Sequence, residues 1–286
     1  MSDRFTIHSL KGWVMVAAAA QSVIAGVTSG RRAQRMVAIL DLVSERGSVS
    51  LAELAETLDI SAATARRDLS DLADQNLVVR THGGVTALER GREIPVALRD
   101  TRFQEAKRAI AKAMVQRLPP EKHVIALSGG TTTASVARAL ANHRDIAVVT
   151  NSLTIAGLLS GYSGVRVVMT GGFLRPQSLE LVGALAESTF NAVNVGTAIL
   201  GADGISASTG VTTHDETEAR TNLAMVTKAQ RTVVVADGSK VGAVALAQVA
   251  DIGQVEMLIT DSTADPAELD RLRAAGVEVV VVDVGK

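Results

Sequence analysis

Residues 123–140 read HVIALSGGTTTASVARAL. HVIAL is apolar and has the length of a buried strand, and ASVARAL has the composition of a helix. Between them Ser128, Gly129, Gly130, Thr131, Thr132 and Thr133 form a loop of small residues rich in hydroxyls and main-chain N–H groups. A strand that runs through such a loop into a helix is one βα unit, so the architecture depends on whether the pattern recurs.

It does. IAVVT runs into Asn151-Ser152, VRVVMT into Gly171-Gly172, GTAILGAD into GIS, TVVVAD into GSK and VEMLIT into DS, and VEVVVVDV closes the chain. Each unit reads as an apolar run, a small polar or acidic loop, then a helix. This predicts an α/β fold with a mostly parallel sheet and ligands at the carboxyl ends of its strands. Only 2% of the residues are aromatic, so the core is built from Ala, Val, Leu and Ile, as suits strands covered by helices on both faces.

The loop after HVIAL offers N–H groups, three hydroxyls and the partial positive charge of a helix N-terminus, which suits phosphate. It lacks the Gly-Lys-Ser/Thr of a nucleotide-hydrolysing P-loop. Asn151, Ser152, Gly171, Gly172, Asp203, Gly204, Asp237, Ser239 and Lys240 ring the same predicted edge. Asn and Asp suit a polyol, and Lys240 adds positive charge for a phosphate. The set Ser128 to Thr133 with these nine residues is therefore the expected effector site. Taken singly, each feature has a plainer reading: the Gly/Thr loop as a helix start, and Asp203 or Asp237 as an N-cap. Arg175 and His214 read as solvated loop residues.

Upstream, Met36, Ile39, Leu40 and Val43 share one helical face between Arg31 and Arg46, ending at Gly47. Ser50 with Glu53 is a capping box for a short helix buried through Leu51, Leu54, Ala55 and Leu58. After a tight turn, Ser61 caps a third helix whose core face is Ala65, Leu69 and Leu72. Two short helices joined by a tight turn make a helix-turn-helix. At 100° per residue Ala63, Arg67 and Ser70 point outward, flanked by Thr64 and Arg66. LVVRTHGGV then reads as a β-wing with Arg80 and His82 exposed.

Residues 31–90 hold eight Lys/Arg and nine Asp/Glu, so this segment has no global attraction for DNA. The charge is segregated instead: Arg31, Arg32 and Arg35 on the first helix, Arg66 and Arg67 on the third, Arg80 and His82 on the wing. Patches of this kind can neutralise several phosphates. Paired arginines on a helix are also an ordinary solvated face.

GSVSLAELAETLDISAATARRDLSDLADQNLVVRTHGGV, residues 47–85, resembles the DeoR-type helix-turn-helix, with Ser61, Thr64, Arg66, Arg67, Asp68 and Leu69 followed by His82, Gly83 and Gly84. SGGTTTASVARAL, VVTNSLTIAGLL, GGFLRPQSLELVG, LGADGISASTGVTTHDETEA, VVVADGSKVG and LITD resemble the DeoR-type effector domain, which is related in fold to ribose-5-phosphate isomerase and CoA transferases. The resemblance covers nearly the whole chain beyond Arg31. It implies a repressor that binds operator DNA through Ser61, Ala63, Thr64, Arg66, Arg67, Ser70, Arg80 and His82 and responds to a phosphorylated sugar or related metabolite of carbohydrate metabolism. Four positions depart from the family pattern: Ser128-Gly129 stand where Asp-Ser is usual, His214 where Pro or Asn is common, and Val241 where Phe is common.

The expected organisation is an N-terminal extension or early-called start over 1–30, a winged helix-turn-helix over 31–87, a linker over 88–104 broken by Gly91 and Pro95, and a sensor over 105–286. VMVAAAAQSVIAGV in the extension resembles the apolar part of a signal peptide, but it is too short and Ala-rich to span a membrane. A cytoplasmic protein is expected, with no membrane partner. The chain has no cysteine, which excludes disulfides, thiolate catalysis and cysteine metal sites. No cofactor and no metal are expected. Palindromic operators call for a dimer or higher homo-oligomer. A second function class stays open on the residues alone: a sugar-phosphate isomerase, with Asp203 or Asp237 as base and Lys240 stabilising an enediolate.

Overall fold

A computed structural model describes residues 30–75, 77–87, 93–99 and 102–284. The expectation for residues 1–29, and that for 88–92, 100 and 101 of the linker, falls outside them. The chain divides between Leu88 and Glu89 into two compact units.

In the first unit, α1 (Gly30–Arg46) buries Ala33, Met36, Val37, Ile39 and Val43. Leu40, expected on the same face, is half-buried. β1 (Ser48–Ser50) follows, too short a strand for alternation to show in the sequence. Ser50 caps α2 (Leu51–Thr57) with the reciprocal Glu53 box. Ser61 caps α3 (Ala62–Asp74), which buries Ala65, Leu69 and Leu72. β2 (Val78–Arg80) and β3 (Gly84–Ala87) form the wing in a three-stranded sheet of order β1-β3-β2. A Cβ at Gly84 would lie 2.1 Å from the Val49 carbonyl oxygen, so the β1–β3 contact requires glycine there.

The second unit begins with α4 (Val96–Arg99), a single turn inside the stretch read as linker, and α5 (Gln104–Val115). The βα units follow as β4 (His123–Leu127), α6 (Thr131–Ala139), β5 (Ile146–Thr150), α7 (Leu153–Leu159) and β6 (Val165–Met169). Next come the hairpin β7 (Phe173–Arg175) and β8 (Glu180–Val182), then α8 (Ala184–Asn191) and β9 (Val195–Leu200). β10 (Gly204–Ser206) and β11 (Gly210–Thr213) lead into α9 (Glu216–Lys228) and β12 (Ala229–Val235). The chain closes with β13 (Ala247–Ala250), β14 (Met257–Asp261), α10 (Pro266–Ala274) and β15 (Glu278–Val282).

All seven runs of the repeated pattern pair in parallel in one sheet, of order β15-β14-β12-β9-β4-β5-β6. Alternate residues feed two cores. Ile199, Val233 and Val235 pack with Ile110, Met114, Leu140, Ile155 and Leu159, while Leu200 and Val234 pack with Phe190, Met225 and Leu272. The sheet is therefore buried on both faces, which is why its strands read as continuous apolar runs.

The helices expected directly after β6, β9 and β12 are not there. Hairpins or short turns intervene: β7–β8 after Gly171-Gly172, β10–β11 after Asp203, and a 3-10 turn at Gly238–Lys240 leading to β13. Pro176 between β7 and β8, and Thr209-Gly210 at the entry to β11, are the turn chemistry that breaks the simple alternation.

Candidate functional site

Sheet growth reverses between β4 and β9. The chain moves outward from β4 through β5 to β6, then returns to the other side of β4 as β9 and continues to β12, β14 and β15. Loops leaving adjacent strands on either side of such a reversal diverge and open a crevice at the carboxyl edge. Here the loops after β4 and β9 line a cavity of about 340 Å³, within the range of small-ligand pockets. Ser128 joins them: its hydroxyl accepts from Gly201 N–H at 3.0 Å and donates to the Gly129 carbonyl at 3.1 Å.

On one side are Gly130, Thr131 and Thr132, the first turn of α6, whose N–H groups have no intrahelical acceptor. Thr133 is fully buried and returns its hydroxyl to the carbonyls of Gly129 and Gly130, so it shapes the loop rather than lining the cavity. Asp203, Asp237, Ser239 and Lys240 line the cavity from the loops after β9 and β12. Asp237 accepts from Ser239 N–H at 3.2 Å, the cap that its sequence position allows. Asp203 is not a cap. Burial opposes its charge, but Arg99, His214, Lys240 and the Thr213 hydroxyl outweigh burial and hold its carboxyl below the usual carboxylate range. Arg99 meets it at 2.8 Å.

The β7–β8 hairpin changes the remainder of the expected site. Leu181 N–H donates to the Asn151 carbonyl, and Leu153 N–H to the Leu179 carbonyl, so the hairpin lies across the end of β5. Asn151 and Ser152 are consequently buried away from the cavity, Ser152 capping α7. Gly171 and Gly172 enter the hairpin, with Gly172 against the Val182 main chain, and Gly204 opens β10; none of the three lines the cavity.

In their place come residues that the sequence reading passed over. Glu180, on β8, accepts from Gly129 N–H, and a Cβ at residue 129 would lie 2.4 Å from the Glu180 carboxyl carbon. The glycine at 129 and the glutamate at 180 are thus complementary in space. It follows that one donor of the anion loop is taken by the protein's own carboxyl group. Burial first, and the neighbouring Glu218 carboxyl second, push Glu180 well above the usual carboxylate range.

Arg175 and His214, expected in solvent, also belong to this region. His214 lines the cavity. Arg175 is 13% exposed and stands 2.9 Å from Glu93, 3.1 Å from Glu218 and 3.3 Å from Asp215. Burial disfavours its charge, but these carboxylates more than compensate, and its pKa is raised. Glu93 also meets Arg99 at 3.2 Å, and Val96 N–H donates to the Gln177 carbonyl. Residues 93–99 therefore form a strap, with Ile94 and Arg99 in the cavity wall. Glu180, Glu218 and Arg99 escaped notice because no local motif marks them: they reach the cavity from three distant segments.

In the first unit, Ala63, Arg66 and Arg67 are exposed on α3, with Thr64 and Ser70 half-exposed beside them and Arg80 and His82 exposed on the wing. Ser61 holds the Thr64 N–H at 3.1 Å. Asp68 is 2% exposed and bonded by Arg35 at 2.5 and 3.2 Å, which fastens α3 to α1. Arg32 is paired with Asp71 and lies 3.6 Å from Asp68. Arg32 and Arg35 are therefore engaged within the unit, and the basic patch expected on α1 is reduced.

Family models match over both units: a DeoR-like helix-turn-helix domain over 35–90 and a DeoR C terminal sensor domain over 102–262. A putative aga operon transcriptional repressor of Escherichia coli O157:H7 is 36% identical over 89% of this chain and 94% of its own. The HTH-type transcriptional regulator GlpR of Haloferax volcanii is 39% identical over 87% and 97%. The glycerol-3-phosphate regulon repressor of Escherichia coli K12 is 32% identical over 81% and 92%. These full-length relatives are regulators, which sets the isomerase alternative aside. The chain belongs to the DeoR family and is a DNA-binding transcriptional regulator.

Proposed function

We propose that this regulator represses a carbohydrate-metabolism operon from the cytoplasm and that a phosphorylated sugar or related metabolite, bound at the carboxyl edge of the sensor sheet, sets its operator affinity. The observation that carries this reading is the cavity at the strand-order reversal, where unpartnered N–H groups of the first turn of α6 face Asp203, Asp237 and Lys240. The phosphate is seated by the N–H groups of Gly130, Thr131 and Thr132 and by the Thr132 hydroxyl, with Lys240, and sugar hydroxyls by Asp203 and Asp237. The names of relatives agree, one being a repressor of a glycerol-3-phosphate regulon.

Response to the ligand follows from Arg99. A hydroxyl bound to Asp203 competes with the Arg99 guanidinium and loosens the strap of residues 93–99, the described part of the sensor closest in sequence to the DNA-binding unit. A ligand shifts such an equilibrium only by binding its two states unequally, and the Asp203–Arg99 pair supplies the difference. Ser61, Ala63, Thr64, Arg66, Arg67 and Ser70 of the α3 region enter the major groove, Arg80 and His82 contact the flanking backbone, and a homo-oligomer reads a palindromic site.

Two variants test the division of labour. Arg67→Ala is expected to weaken binding to upstream DNA and preserve thermal stabilisation by sugar phosphates, and Thr132→Val to do the reverse. Loss of both properties in either variant contradicts two separable sites.

A further inference from the structure

The loops that enter the sensor strands meet at the amino edge of the sheet, opposite the cavity at its carboxyl ends. Lys122 precedes β4, His143, Arg144 and Asp145 precede β5, and Gly161 to Gly164 precede β6. Parallel pairing of β4 with β5, and of β5 with β6, brings these entries side by side. With Arg166 of β6 they line a second cavity, of about 740 Å³, again within the range of small-ligand pockets. Its main chain is fixed locally. A Cβ at Gly164 would lie 2.7 Å from the His143 carbonyl oxygen, so the turn before β6 rests on the turn before β5 and requires glycine. His143 N–H donates to the Leu140 carbonyl at 2.8 Å, and Val165 N–H to the Tyr162 carbonyl at 3.2 Å.

Lys122, Arg144 and Arg166 line this cavity, and none of them has an ion-pair partner among the described residues. Asp145 is the one carboxyl group in the described lining; Glu121, beside Lys122 in sequence, is not part of it. Three cations against one carboxylate leave a surplus of two positive charges. His143 Nδ1 is enclosed in the same wall and has no hydrogen-bond partner among the described residues. Buried polar atoms are normally hydrogen-bonded, so this nitrogen points to a ligand in the cavity. Tyr162, the only tyrosine of the chain, adds an aromatic ring to the lining and is 39% exposed.

A surplus of two positive charges beside an aromatic ring is matched by a dianion that carries a flat ring of its own. We propose that the amino edge of the sensor sheet is a second ligand site, for a nucleoside monophosphate. Its phosphate is held by Lys122, Arg144 and Arg166, the guanidinium groups offering paired N–H donors. Its base stacks on Tyr162, a contact open to any base because every base has a flat face. The two cavities lie at opposite edges of one sheet, so a nucleotide and a sugar phosphate bind without competing. This site does not rest on the reading of the carboxyl-edge cavity.

The test is titration calorimetry of the full chain with AMP, GMP, CMP, adenosine, ribose 5-phosphate and inorganic phosphate. It is run on the unmodified protein and on Thr132→Val, which removes a phosphate contact of the other cavity. In Thr132→Val at least one nucleoside monophosphate is expected to bind as it does to the unmodified protein, and about tenfold or more tightly than ribose 5-phosphate or adenosine. Arg144→Ala and Tyr162→Ala are each expected to weaken that nucleotide about tenfold. Tyr162→Phe, which keeps the ring, is expected to bind it unchanged. Arg144 and Tyr162 are exposed, so these variants should keep the Tm and the operator binding of the unmodified protein. Absence of nucleotide binding overturns the proposal, as does ribose 5-phosphate binding equally well in Thr132→Val. Nucleotide binding lost in Thr132→Val but kept in Arg144→Ala places the nucleotide in the other cavity and also overturns it. Loss of operator affinity in Arg144→Ala without nucleotide binding assigns these cations to DNA and overturns it too. Each of these outcomes leaves the sugar-phosphate reading of the carboxyl edge standing.

Discussion

Glu180 shows how one residue sets the character of a site from outside its motif. Its carboxyl group occupies the space that a side chain at 129 would take and uses the Gly129 N–H. Gly129→Ala is therefore expected to destabilise the sensor unit by about 1–3 kcal/mol, the usual range for overpacking. Adding Glu180→Ala to it should recover part of the loss, a non-additivity measurable by denaturant unfolding. The raised pKa of Glu180 also has a sign. The unfolded chain loses this proton in the ordinary carboxylate range while the folded chain retains it, so the stabilisation is full below that range and is lost as pH rises through the folded pKa. A comparison of Tm against pH for the unmodified protein and Glu180→Gln should show the steeper fall in the former. On the DNA side, Asp68 has a similar lesson. Within the Arg-Arg-Asp stretch, Arg66 and Arg67 face solvent, whereas Asp68 is buried against Arg35. Arg67→Ala should weaken operator binding and lower the slope of log affinity against log salt by about one if it contacts a phosphate, with Tm unchanged.

Elements differ in how far the sequence discloses them. The capping box at Ser50, the Ser61 cap and the seven apolar runs were legible because each depends on neighbours in the chain. Ser61→Ala should accordingly cost about 1 kcal/mol, and Leu72→Ala, fully buried behind the reading face, about 2–5 kcal/mol. The Ser128–Thr132 side of the cavity and Asp203, Asp237, Ser239 and Lys240 were legible for the same reason: parallel strands bring their carboxyl-end loops to one edge. Asn151, Ser152, Gly171 and Gly172 occupy the same edge in sequence logic yet lie outside the cavity. The β7–β8 hairpin covers Asn151 and Ser152 and takes Gly171 and Gly172 into its own entry, and its position depends on contacts with the end of β5 and with α9 that no local pattern records. The strap is equally hidden, since Arg99 and Glu93 read as linker charge until Asp203 and Arg175 are placed opposite them. If the Arg99–Asp203 pair holds the strap, Arg99→Ala should alter operator affinity in the absence of effector and reduce the effector's influence, read by fluorescence anisotropy with labelled operator.

At the scale of the whole molecule, a DNA-reading unit and a sensor unit are joined in one chain, and neither unit alone accounts for regulation. No helix among the described residues is long and apolar enough to cross a membrane. The overall charge is close to neutral, so attraction to DNA has to be local; on the proposed reading it comes from the α3 and wing surface and should be strongly salt-dependent. The central claim is that occupancy of the sheet-edge cavity changes operator affinity. Its most direct test is equilibrium binding of the full chain to its operator, titrated with sugar phosphates, in the unmodified protein and in Thr132→Val. The account predicts that at least one sugar phosphate shifts operator affinity by about 5-fold to 150-fold, the usual span of allosteric coupling, and that Thr132→Val abolishes the shift while operator binding without ligand is retained. A sugar phosphate that stabilises the protein yet leaves operator affinity unchanged would contradict it.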